Sequence, residues 1–163
     1  MTVAADDDEQ MEGIDFDALS AINPNTVGWI TVPGTSISYP VVQASDNYWY
    51  LRRTFHGARN ASGTVFIDYR DASDFSGHVR VYAHNMRDGS MFAPLLEWGG
   101  DMFIIHTLDG CILTYTVLSR GAAPVTGDVF SSTAEGVLLV TCVNGQPDVR
   151  FVVWARLENE ESR

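Results

Sequence analysis

Short apolar runs rich in β-branched residues recur along this chain, each stopped by turn-forming residues. Residues 27–32, 36–42, 63–69, 78–84, 102–108, 111–118, 136–142 and 151–155 read as strands. Asp109-Gly110 is a strong hairpin signal, and Pro33-Gly34-Thr35 is a turn. Helical periodicity is confined to short pieces. Phe16, Leu19 and Ile22 can share a helix face before Asn23-Pro24 ends it. Residues 46–53 predict a short helix capped by Asp46 or Ser45, and Ser90 caps another that Gly99-Gly100 stops. Strands do not alternate with long helices, which argues against a parallel doubly wound sheet. About eight short strands hide their edges best in a closed barrel. The expected fold is mostly β: a closed, antiparallel or mixed eight-stranded barrel with an N-terminal helix and one or two short helices.

The 163 residues fit one domain, and the 45% hydrophobic fraction is that of a folded protein. Residues 1–13 are acidic and aperiodic and predict a flexible arm; 14–158 form the domain; 159–163 read as a polar tail. Residues 119–135 are rich in turn formers and predict a loop. A net charge of −11 argues against a general nucleic-acid binder, which needs a basic face. Cys111 and Cys142 are too few for a disulfide framework and leave room for at most one bridge. No apolar run approaches the ~20 residues of a membrane helix, and no signal peptide is present. The acidic start reads as a truncation, so an anchor in the natural protein stays open.

The run Gly136-Val137-Leu138-Leu139-Val140-Thr141 ends at the thiol of Cys142, and Arg150 opens the next run. A hairpin joining the two, through a loop at 143–148, brings thiol and guanidinium together. A thiol nucleophile needs a nearby positive charge and a proton donor. A free cysteine is most often a buried small hydrophobe, and that is the reading kept for Cys111. Cys142 differs because it ends its strand. Of four histidines, His106 reads as a structural strand residue, His78 as solvent-facing and His56 as a loop residue. His84 sits where a strand enters a loop, a common place for catalytic groups. His78 and His84 share strand parity but lie ~20 Å apart along a strand, too far for one metal ion.

The sequence resembles the sortases, thiol transpeptidases of Gram-positive cell surfaces, and most closely their class B. The resemblance runs from Asn23-Pro24-Asn25-Thr26-Val27-Gly28-Trp29 to Arg156. It passes through Tyr39-Pro40-Val41-Val42-Gln43, Asp46-Asn47 with Tyr50-Leu51, and Gly63-Thr64-Val65-Phe66-Ile67-Asp68-Tyr69-Arg70. Its sharpest parts are His84-Asn85-Met86, Asp88-Gly89-Ser90-Met91-Phe92, and Thr141-Cys142 followed by Arg150. The resemblance implies a sortase-type barrel with Cys142 as nucleophile, His84 as general acid/base and Arg150 as the substrate-positioning or oxyanion group. It implies that Asn47, Leu51 and Thr141 bind substrate. The implied activity cleaves a C-terminal sorting signal after threonine and passes the acyl group, through a thioester, to an amine of a peptidoglycan precursor or a pilin. No cofactor is required. The implied partners are surface proteins bearing sorting signals. The implied place is the outer face of the plasma membrane, through an anchor outside this chain. Leu138 and Val140 depart from a Thr and a Ser common before the class B nucleophile, and Ala83 stands where glycine is common. The long helix that class B members carry before the catalytic strand has no counterpart in the aperiodic stretch 119–135. Two other readings of the same residues are a thiol peptidase that hydrolyses its acyl-enzyme and a non-catalytic peptide-binding barrel.

Overall fold

The computed structural model describes residues 13–162. The arm expected at 1–13 therefore lies outside the described residues but for Gly13. One α-helix, α1 (Phe16–Ile22), opens the described chain, and the Asp15 carboxylate caps it by accepting from Ala18 N at 3.0 Å. Eight strands follow: β1 (Thr26–Thr31), β2 (Ser38–Val42), β3 (Val65–Ile67), β4 (His78–Tyr82), β5 (Met102–Thr107), β6 (Cys111–Pro124), β7 (Gly136–Val143) and β8 (Gln146–Ser162). They close into a barrel in the order β1-β2-β3-β4-β7-β8-β6-β5. The β2–β3 and β4–β7 pairs are parallel and the rest antiparallel. The expected mixed, eight-stranded, mostly β barrel is the one found.

Several expectations are corrected. The stretch 119–135 is only partly loop: β6 runs on to Pro124, and a single 3-10 turn, Asp128–Phe130, follows. Residues 159–162, expected as a tail, continue β8 and pair with β6 from Cys111↔Ser162 onward. The two helices expected near 46–53 and 91–98 are single 3-10 turns, Trp49–Leu51 and Ala93–Leu96. The loop expected at 143–148 tightens to Asn144-Gly145, with Gly145 at φ +76°, a value glycine adopts freely. His78 does not face solvent. It is half-buried, stacked on Trp154 at 5.0 Å, with Nδ1 2.9 Å from Ala134 O. Both cysteines are free thiols. No helix among the described residues is long and apolar enough to cross a membrane.

Strand alternation sorts the side chains into two sets. Val65, Ile67, Val79, Val81, Val137, Leu139, Val153 and Ala155 fill the barrel interior with Phe103, Ile105 and Tyr115. The other parity faces outward. On β7 and β8 its residues Leu138, Val140 and Val152 are still buried, under Tyr82, Val129 and Phe130. Both faces of β7 are thus covered until the strand reaches Cys142, which is exposed.

Candidate active site

Register assembles the site. Tyr82 lies beside Val140 in the parallel β4–β7 pair, and Ala83 N donates to Val140 O at 3.3 Å. Two residues further on in each segment, His84 and Cys142 line the same cleft, and Asn85 Nδ2 donates to Cys142 O at 3.0 Å. On the other side of β7, Cys142 pairs with Arg150 across the hairpin. Phe66 pairs with Tyr82, which carries the same outward parity on to β3. The result is a cleft of about 290 Å³ on the outside of the sheet. Arg150, Cys142, His84, Tyr82 and Phe66 line it, together with Asn47 and Leu51.

Each expected site residue lies in this cleft, though their local circumstances differ. Arg150 is half-buried, and its Nη1 donates to Pro147 O at 2.9 Å and Val149 O at 3.0 Å. That fixes the guanidinium plane while leaving Nε and Nη2 without a hydrogen-bond partner among the described residues. His84 Nε2 is 2.5 Å from Leu51 O. A carbonyl only accepts, so Nε2 carries a proton and Nδ1 is the nitrogen left for chemistry. His84 O in turn accepts from Phe92 N at 2.9 Å, which ties the following loop back to it. Thr141 is buried, and its hydroxyl has no hydrogen-bond partner among the described residues. Asn47 lines the cleft but spends both polar atoms on the framework: Nδ2 donates to Asp68 at 3.0 Å and Oδ1 accepts from Tyr69 N at 3.0 Å. His106, by contrast, is buried in β5 and lies outside the cleft.

A charged frame missed in the sequence stands behind the cleft. Asp68 is fully buried and accepts from Arg70 Nε and Nη2, each at 2.9 Å, and from Tyr82 OH at 3.0 Å. Arg80 approaches it at 3.5 Å and pairs with Asp71 at 2.9 Å. Burial by itself would raise the Asp68 pKa, but the hydrogen bonds from Arg70, Asn47 and Tyr82 outweigh it and hold the carboxyl far below the usual range. The Tyr82 phenol is pushed up by burial and by the Asp68 charge, so it stays a donor at neutral pH. Phe66, Tyr82 and Val140 were also missed as lining residues. The parity they share with Cys142 was the signal available, but it could be used only with the strand register known.

A sortase domain model matches residues 30–158. A curated relative, sortase B of Listeria monocytogenes, is 38% identical over 88 residues, covering 53% of this chain and 36% of its own length. The chain thus matches only about a third of that relative. Among solved structures, Clostridium perfringens sortase B superposes with a TM-score of 0.80 at 24% identity, covering 89% of this chain and all of that one (100%). A Streptococcus pyogenes class B sortase involved in pilus biogenesis gives 0.76 at 26% identity, covering 90% of this chain and 100% of its own.

Proposed function

Because the chain belongs to the sortase family and is most like its class B, we propose that it is a cysteine transpeptidase acting on sorting-signal peptides. One observation carries the reading. A thiol from β7, a guanidinium from β8 and an imidazole from the loop just after β4 line a single cleft on the barrel's outer face.

In the proposed reaction His84 Nδ1 takes the Cys142 proton, and the thiolate attacks the carbonyl carbon of the threonine in the signal. A free thiol has a pKa of about 8.5, so few thiolates exist at neutral pH without such a partner. Arg150 donates to the oxyanion from the guanidinium nitrogens not held by the backbone, a role worth ~3–4 kcal/mol in comparable donors. The His84 imidazolium then gives its Nδ1 proton to the departing amine as the C–N bond breaks and the thioester forms. An incoming amine loses a proton to His84, attacks the thioester and releases the thiolate. Asn47, Leu51 and Thr141 contact the acyl half of the signal. The acceptor is an amine of a peptidoglycan precursor or a pilin, at the outer face of the plasma membrane.

The test is product analysis with a panel of sorting-signal peptides, with and without added amine. Amide product that rises with amine concentration, and is lost in Cys142→Ala, supports transpeptidation. Acid product alone, at every amine concentration, would replace it with a hydrolase.

A further inference from the structure

Past Leu51 the surface turns basic. A second groove shares Leu51 with the cleft and is otherwise lined by Asp46, Tyr48, Trp49, Arg52, Arg53 and Arg59. Its geometry is fixed by backbone hydrogen bonds. Arg53 bridges Arg59 in a small antiparallel loop, closed by Thr54 N→Ala58 O at 2.8 Å and Asn60 N→Arg52 O at 2.9 Å. Arg53 lies flat on Trp49, 4.1 Å from the ring centroid, and donates to Gly57 O at 3.2 Å.

Its electrostatics are unusual for this chain. Acidic residues outnumber basic ones by 21 to 10. Even so, Arg52, Arg53 and Arg59 have no carboxylate partner among the described residues. The one acid in the groove, Asp46, already accepts from Tyr48 N at 2.8 Å and Trp49 N at 2.9 Å. Like charges set side by side across a pair destabilise a fold. Beside them the large rings of Tyr48 (78% exposed) and Trp49 (50%) stand in solvent. Exposed aromatics next to unneutralised arginines fit a recognition surface.

We propose that this groove binds acidic residues lying immediately N-terminal to the sorting motif of the substrate. The assignment rests on the transpeptidase reading. The acyl half of the substrate must stay seated through both chemical steps, whereas the leaving half departs. The walled cleft, whose lining Cys142, Tyr82, Phe66 and Leu51 share, therefore suits the acyl half. A chain running out past Leu51 enters the arginine groove with the residues that precede the motif. Its carboxylates meet Arg52 and Arg59, and its apolar atoms lie on Tyr48 and Trp49.

Two measurements test it. In the first, fluorescence anisotropy compares labelled oligoglutamate and oligoglutamine peptides at low salt. Oligoglutamate should bind more tightly, and the Arg52→Ala/Arg59→Ala double variant should weaken it about fivefold, the scale of exposed ion pairs. Added salt should weaken it likewise. Arg156→Ala, an exposed arginine already paired with Glu158, should leave it unchanged. Equal affinity for the two peptides, or an equal loss in Arg156→Ala, overturns the groove. In the second, a peptide cleaved in the panel is extended with glutamates on either end. N-terminal glutamates should lower KM with kcat unchanged, and C-terminal ones should not; the reverse pattern overturns the placement. Oligoglutamate binding without any transpeptidation would sink the enzymatic reading and the substrate assignment while leaving the acidic-peptide site. Transpeptidation indifferent to flanking acids would sink the groove alone.

Discussion

Arg150 commits one guanidinium nitrogen to the carbonyls of Pro147 and Val149 and keeps the others for the cleft. A lysine offers a point charge and no second, rigidly placed donor. Arg150→Lys should therefore lower kcat by about 10²–10³-fold, the loss seen when one oxyanion donor is removed. Steady-state kinetics on a cleaved peptide checks this, and near-native turnover would contradict the oxyanion role. Asp68 makes a different prediction. Its carboxyl sits below its unfolded value of about 3.9, so the unfolded chain binds more protons than the folded one. The stability it contributes is present above that value and is lost as pH falls toward the folded pKa. Urea midpoints should fall as pH drops below about 5, and Asp68→Asn should flatten that slope. The variant should also be about 2 kcal/mol less stable at neutral pH, because it leaves buried donors poorly matched.

Among the elements, the 3-10 turn Trp49–Leu51 carries the most consequence, because its last carbonyl orients His84. Gly63 lies against that turn at φ +62°, and a Cβ there would stand 2.8 Å from Leu51 O. Gly63→Ala should displace the carbonyl and lower kcat more than it raises KM. A loss of thermal stability with kcat unchanged would mean that Leu51 O does not position the imidazole. The turn was expected as a longer helix over 46–53 because apolar side chains and an acidic cap read alike for both geometries, and only three residues adopt the tighter one. The long ends of β6 and β8 were illegible for another reason. Their side chains are mostly exposed and polar, and the strand identity comes from each other's backbone. The core strands were legible because β-branched residues face the interior at every second position. The meeting of Cys142, His84 and Arg150 in one cleft was legible through their motifs. The Asp68 frame was not, because a buried carboxylate and its arginines look like surface charges until the chain closes around them.

At the scale of the whole molecule, the barrel keeps its interior apolar and carries the candidate cleft on its outside. One parity of β3, β4, β7 and β8 builds the core while the other builds the cleft. In the proposed reaction this lets the Cys142 thiol sit at a strand end and still meet a peptide substrate. The chain's cationic side chains are all arginine, so it has no lysine to take up its own thioester. Prolonged incubation with a cleaved peptide should leave no side-chain adduct that survives hydroxylamine; a stable amide-linked adduct on a side chain would contradict this. The most direct measurement is peptide mapping by mass spectrometry of the protein quenched during turnover. The acyl half of the signal should be found on Cys142 alone, removable by hydroxylamine and absent from Cys142→Ala. An acyl group on any other side chain, or turnover by the alanine variant, would contradict the proposed role of the thiol.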